Sequence, residues 1–332
     1  MHSRYLMGRR TKLPLLVAAF ALATLLAPSI TAAQTFPSKP IRFIVPLTPG
    51  GSNDVIARTI AERLQASWPQ PVLVENRPGA GGNLGADVVA KSVGDPHVWL
   101  LAPNNILVTN PHISKPNFDP FRDFTPVMQL ANVVFVLVVN PQVEAKTVRE
   151  LIALAKAKPN QLNYGSSGNG QPHHLAAEML KSFAAIEMVH VPFKGAVPAV
   201  TELLAGRIQL LIGATNSTLP HIQAGKLRAL AVAGSKRFAS LPELPTMAEA
   251  GVPGFALDVW LSLVLPANVP ADVVAKINTD VTRVLDSAEL RQRFAAQGIE
   301  IVLTNPAELA RLAREDYDRW GGVIRAAGIK GD

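Results

Sequence analysis

"VPLTPGGSNDVIARTIAERL" (residues 45–64) closes an apolar strand, turns through Pro-Gly-Gly and enters a helix behind a Ser-Asn-Asp cluster. Val55, Ile56, Thr59, Ile60 and Leu64 recur at helical spacing, so one face of that helix is apolar and must pack on something. The glycines supply the turn, and Ser52, Asn53 and Asp54 are the residue types that cap a helix start. A strand feeding an amphipathic helix through so short a turn is half of a βαβ unit. A parallel sheet with helices on its faces is therefore the expected architecture.

The neighbouring sequence continues the alternation. Strands are predicted over 41–46, 72–75 and 98–102, with helices over 53–66 and 83–91 between them. "ANVVFVLVVNP" (131–141) is apolar throughout and rich in β-branched residues, the pattern of a long strand buried on both faces. A second alternating series follows: helix 147–158, strand 162–165, helix 172–183, strand 187–191, helix 197–205, and strands 208–212 and 227–233. "FALDVWLSLVLP" (255–266) reads as another long strand, ahead of helices over 271–285 and 306–326. Two long strands bracketing one α/β region predict a chain that crosses over, builds a second lobe and crosses back. The fold class is thus α/β with two lobes, each a mostly parallel sheet flanked by helices, joined by two crossing strands. A length of 332 residues suits two domains of roughly 100–200 residues each.

The first 33 residues differ from the rest. Arg4, Arg9, Arg10 and Lys12 precede an apolar run from Leu13 to Ala27, and Thr31-Ala32-Ala33 follows, the layout of a secretory signal peptide. The run is shorter than the roughly 20 residues a membrane helix needs, so cleavage after Ala33 is expected to leave a soluble exported protein. Removing that segment takes four basic residues from a formal charge of +7 and leaves +3, a balance that does not suggest nucleic-acid binding. Zero cysteines exclude disulfides and thiolate sites. The seven histidines never fall at metal-ligand spacings, and His173 and His174, adjacent on a helix, cannot face one ion. No cofactor or metal is called for.

Four loops sit where strands hand over to helices, the place where open α/β sheets bind ligands. They are "LTPGGSND" (47–54), "NRPGAGGN" (76–83), "GSSGNGQPHH" (165–174) and "PFKGAV" (192–197), two in each lobe. Glycines let the backbone come close, and free N–H groups at a helix start carry partial positive charge, so these loops predict an anion site. Read blandly, any one of them is only a capped turn. Nucleotide loops fail on spacing: "PGGSND" lacks a terminal Gly-Lys-Ser/Thr, and Gly79, Gly81 and Gly85 are out of register with Gly-x-Gly-x-x-Gly. Ser166 and Ser167 lie outside Gly-x-Ser-x-Gly, which argues against nucleophilic catalysis. His174 reads as a helix residue beside a binding loop, and Lys194 as a surface or ligand-facing charge.

"PSKPIRFIVPLTPGGSNDVIARTIAERL", "VENRPGAGGNLGADVVAKS", "LNYGSSGNGQPHHLAAEMLK", "HVPFKGAVPAVTELLAGRIQLLIG" and "LRALAVAGSKRFASLPELPTMAEAGVPGF" resemble, in order and over nearly all of the chain beyond the leader, the Bug (TctC-like) family of periplasmic solute receptors. The resemblance implies a type II periplasmic binding fold, with lobe 1 formed by residues 34–138 and 256–332 and lobe 2 by 139–255. It implies capture of a small carboxylate-bearing anion between the lobes and its delivery to the membrane permease subunits of a tripartite tricarboxylate transporter. The receptor is expected to be a monomer and not an enzyme. Carried over position by position, the ligand-binding candidates are Thr48, Gly50, Gly51, Ser52, Asp54, Asn83 and Asn104 from lobe 1, with Ser166, Ser167, Gly168, Gln171, His174 and Lys194 from lobe 2. Two departures stand out: Thr48 where the family has a second proline, and Gly213 where members often carry an aspartate, a change expected to disfavour amino acids. An exported enzyme or sensor-partner domain acting on an anion in the same cleft is the alternative.

Overall fold

The computed structural model describes Met1 and residues 36–327. The expected signal peptide lies outside the described residues. The described residues from Pro37 onward form one compact unit. Its first sheet opens with β1 (Ile41–Val45), β2 (Val72–Asn76) and β3 (Val98–Pro103). β1 lies between the other two and is parallel to both. The helices Ser52–Gln65 and Asn83–Ala90 make the crossovers that parallel pairing demands. The apolar face read from residues 55–64 is the one that is buried, with Ile56, Ile60 and Leu64 fully inaccessible.

β4 (Phe124–Val133) and β5 (Phe135–Val139) divide the run that reads as one strand. β4 belongs to the first sheet and β5 to the second, and Val134 is the single residue between them. Its N–H donates to Gly298 O and its carbonyl accepts from Thr215 N, so the passage itself is hydrogen-bonded on both sides. The second sheet adds β6 (Asn163–Ser166), β7 (Val189–Pro192), β8 (Leu210–Ala214) and β9 (Arg228–Val232). The chain returns to the first sheet as β10 (Val259–Pro266) and ends it with β11 (Ile299–Ile301). The orders are β11-β4-β10-β3-β1-β2 and β7-β6-β8-β5-β9.

Both sheets are mixed, where mostly parallel ones were expected. β10 is antiparallel to β3 and β4, and β5 is antiparallel to β8 and β9. The strands that carry the chain between sheets enter from the far side, and so run against their neighbours. The return strand is also shorter than its apolar sequence suggests: residues 255–258 serve as the passage, with Leu257 N donating to Ala233 O.

Each sheet has its own core. In the first, Trp99 takes Phe43 and Trp68 edge-on at 5.4 and 5.5 Å between ring centroids. The Trp68 indole donates to Asp280 on helix Ala271–Leu285, tying a C-terminal helix to the N-terminal strands. In the second, Val136 and Val138 of β5 pack with Leu203, Leu211 and Leu219. The result is a two-lobed α/β architecture whose strands end at a shared cleft.

Candidate ligand-binding site

Four of the longer helices begin at that cleft: Ser52–Gln65 from the first lobe, and Pro172–Ala184, Ala196–Leu204 and Thr215–Gln223 from the second. Their N-cap residues are Gly51, Gln171, Gly195 and Ala214, and none makes a side-chain cap hydrogen bond. Thr147 and Ser287 each accept a backbone N–H at the start of their helices, while Asn83–Ala90 and Ala271–Leu285, like the four at the cleft, have no side-chain cap. Uncapped first turns leave N–H donors and the positive end of the helix dipole facing the space between them.

That space is a partly enclosed cavity of about 490 Å3, some of it open to solvent. From the first lobe it is lined by Leu47, Thr48, Gly51, Ser52, Asn53, Pro103, Val259 and Leu261. The second lobe contributes Phe135, Ser167, Gln171, Pro172, His173, Ala196, Ala214 and Asn216. None of these is Asp, Glu, Lys or Arg.

Several lining polar groups are buried and unpartnered within the protein. They are Asn53 Nδ2, both amide atoms of Gln171, His173 Nε2 and Asn216 Oδ1. Gln171 is 1 % exposed and Asn53 4 %. Burying such atoms without partners is costly, by about 1–3 kcal/mol each, which makes them the natural contacts of a bound molecule. The His173 ring is held by Ser167, whose Oγ lies 2.8 Å from Nδ1, and by Phe135, edge-on with centroids 4.9 Å apart. Burial pushes His173 down from the usual 6.5 to about 4. The ring is neutral, and if Ser167 donates to Nδ1 then Nε2 carries the proton and is a donor for an anion.

The two lobes touch at both ends of the cavity. A Cβ built on Gly195 would lie 1.7 Å from Thr48 Oγ1, and one on Gly81 would lie 2.5 Å from the Asn169 carbonyl oxygen. Gly81 cannot retreat, because its own carbonyl accepts from Asn105 Nδ2 at 3.0 Å and Asn110 Nδ2 at 3.1 Å. The lobes are therefore shut, with Gly195 against the Thr48 side chain and Gly81 against the Asn169 backbone, where glycine is required.

Of the residues selected from sequence, Thr48, Gly51, Ser52, Ser167 and Gln171 line the cavity. Asp54 does not; it fastens the turn from behind. Its carboxylate accepts from Gly50 N, Arg58 Nε and Asn76 Nδ2. Burial alone would raise the Asp54 carboxyl, but the bonds from Arg58, Gly50 and Asn76 outweigh it and hold the group below its ordinary value. Gly50, at φ +90°, is the bent residue that this carboxylate clamps. Asn83 accepts from Asn110 Nδ2 at 2.6 Å and donates to Ser114, within the web that fixes Gly81. Asn104 is buried and donates to Asp258 O.

In the second lobe Ser166 sits one layer behind the cavity. Its Oγ lies 2.6 Å from His190 Nε2 and accepts the Gly168 N–H at 3.1 Å. His174 is there too, stacked on His190 at 4.2 Å between centroids, its Nδ1 accepting the Gly170 N–H. These bonds set the shape of the Gly168–Gly170 loop from below. Lys194 is exposed and outside the lining. Gly213 also points elsewhere: a Cβ there would meet Leu211 and Thr218, so an aspartate at this position would not face the cavity.

Sequence reasoning passed over Asn53, His173 and Asn216. Asn53 had a signal, being in the cap cluster, but capping explained it fully. The apolar lining was missed because Pro103, Phe135, Ala214, Val259 and Leu261 are strand residues, indistinguishable in sequence from core.

Two lobes closed on a cavity ringed by helix N-termini have the geometry of a solute-binding protein. Residues 56–329 match the tripartite tricarboxylate transporter family receptor, and the chain belongs to that family. Protein BugT of Bordetella pertussis is 37% identical over 314 residues, 93% of this chain and 95% of its own. An R. palustris protein solved with adipate superposes with a TM-score of 0.85 at 34% identity, covering 89% of this chain and 99% of its own. MatC from Rhodopseudomonas palustris with bound malate gives 0.83 at 30% identity, covering 87% and 100%. Family and fold are those of periplasmic solute-binding receptors.

Proposed function

We propose that this chain is a periplasmic receptor, exported by its N-terminal segment, that captures a small carboxylate-bearing anion between its lobes and delivers it to a tripartite tricarboxylate-type permease. The observation that carries the reading is the cavity's polar ring: four uncapped helix starts with Asn53, Gln171 and His173 buried and unpartnered among them. A carboxylate supplies the missing acceptors. The relatives solved with adipate and malate support a carboxylate as the ligand class.

Magnitudes favour a clamp made by both lobes. Micromolar affinity needs about −8 kcal/mol, while one partly buried helix end offers at most about 2 and a charged hydrogen bond about 1.5–3 before entropic costs. The first lobe's one helix start falls short of that sum, and the second lobe's three reach it only before association costs of about 4–15 kcal/mol are subtracted. Binding is then coupled to closure, and a permease that prefers the closed form reads occupancy from the outside.

The Ser167–His173 contact has the separation of a nucleophile and its base, and an enzyme would use it. The ring is a poor base with a pKa of about 4, and no carboxylate orients its other nitrogen, since Nε2 is unpartnered. The receptor reading is the better supported of the two.

A thermal-shift screen of ligand-free protein against mono-, di- and tricarboxylates and amino acids tests it. One acid class is expected to raise the midpoint, by an amount equivalent to about 2.7 kcal/mol at 100 times Kd, and mass spectrometry is expected to recover the acid unchanged. Turnover of the acid, or no shift from any of them, would overturn the reading.

A further inference from the structure

The cavity has a second feature that its polar ring does not explain. Its floor is built from strand ends of both sheets. Leu261 and Pro103 face each other across β10 and β3, and Phe135 and Ala214 across β5 and β8. Val259, two residues from Leu261 on the same strand, shares its face. All five line the cavity. Their side chains offer no donor, and the strand backbones beneath them are engaged in ladder hydrogen bonds.

Ala214 belongs to both ring and floor, since it precedes the helix Thr215–Gln223, and Phe135 packs against His173, so floor and ring adjoin; the charge-accepting groups are nonetheless the helix starts and amides, and the Val259 and Leu261 side chains offer a charge nothing. A carboxylate at the ring meets helix N-termini and amide donors. A second carboxylate at the other end of the molecule would meet the floor, with no cation in the lining to offset its desolvation. An ammonium fares no better. The nearest acid in sequence to the ring is Asp54, and its oxygens are already engaged by Gly50, Arg58 and Asn76.

We infer that the ligand is a monocarboxylate with an uncharged, largely apolar body: its carboxylate sits on the ring of helix starts and its body on the Pro103, Phe135, Val259 and Leu261 floor. The inference rests on the receptor reading and narrows it. The remaining polar atoms, Gln171 Oε1 and Asn216 Oδ1, leave room for a neutral hydroxyl on that body.

Matched acids that differ only at the far end provide the test. Isothermal titration of the purified chain would compare butyrate with succinate and 4-aminobutyrate, and hexanoate with adipate. In at least one length series the monocarboxylate is expected to bind at least tenfold more tightly than its charged counterparts. In the isosteric Val259→Thr variant, checked for an unchanged melting curve, that ratio is expected to narrow at least threefold. Succinate, adipate or 4-aminobutyrate binding as tightly as the monoacid of its length would overturn this inference and leave the receptor reading standing. Heat from none of these acids, with no acid in the thermal-shift screen raising the midpoint either, would overturn both.

Discussion

Replacing Gly81 with alanine separates closure from folding. Gly81 sits at φ 62°, ψ 23° in the first lobe, and a Cβ there would be 2.5 Å from the Asn169 carbonyl oxygen of the second. That is roughly 1 Å short of ordinary van der Waals separation. Neither side gives easily. Asn105 and Asn110 hold the Gly81 carbonyl, while Gly168 and Gly170, on either side of Asn169, donate to Ser166 Oγ and His174 Nδ1. The methyl is accommodated when the lobes part, so its cost falls on the closed state alone. Overpacking of this kind costs about 1–3 kcal/mol, which raises Kd about 5- to 150-fold. Alanine at positive φ also costs folding stability, about 1–2 kcal/mol. Gly225→Ala pays that same backbone cost without the clash, since Gly225 is at φ +67° with nothing within 4 Å of its would-be Cβ. Both variants are expected to melt alike without ligand. Titration with the best acid from the screen should show the loss of affinity in Gly81→Ala alone, and small-angle scattering should show a larger radius of gyration at saturating acid. A Kd within twofold of the Gly225→Ala control would refute the coupling of binding to closure at this contact.

Gln171→Ala removes two buried atoms that have no partner in the protein, so the ligand-free melting temperature should hold or rise while affinity falls by about 1–3 kcal/mol, 5- to 150-fold, in titration calorimetry. Lys194→Ala, by contrast, should change affinity less than twofold in the same assay, because Lys194 is exposed and outside the lining. His173 makes stability depend on acid. Its folded pKa of about 4 lies below the 6.5 of the open chain, so the unfolded state binds the proton first, and stability falls as pH drops from about 6.5 to about 4. The loss reaches about 3 kcal/mol. Chemical denaturation at pH 7 and pH 4 should show that difference between the wild type and His173→Gln, which lacks the titrating ring.

The sheet-and-helix alternation was legible because each element states its own period. The helix Ala271–Leu285 emerges from its apolar spacing at the bounds the structure has. The passage between lobes was legible only in part. An apolar run over 131–141 says that both faces are buried; it does not say that they are buried in two different sheets. The break at Val134 is made by long-range partners, Gly298 and Thr215, that leave no local mark. The same blindness hid the first half of β4, where Pro126 interrupts the strand pattern. That proline pairs opposite Val264 beside an irregularity in the ladder with β10, a place that tolerates a missing N–H.

At the site, composition pointed to loops that do line the cavity and less surely to the atoms that face into it. A glycine-rich turn beside Ser and Asn announces free N–H groups, and those turns do converge. Which side chain faces inward depends on where each helix starts, and His173 and His174 make the case. As neighbours on one helix they point roughly 100° apart, so only one can face the cavity. The difference is settled by partners far away in sequence. His190, on β7, stacks with His174 beneath the loop. Phe135, on the crossing strand, packs edge-on against His173. The same phenylalanine also paves the cavity floor. One crossing residue thus orients a polar contact of the ring and supplies apolar surface to the floor, and a change at Phe135 should disturb both ends of the ligand at once.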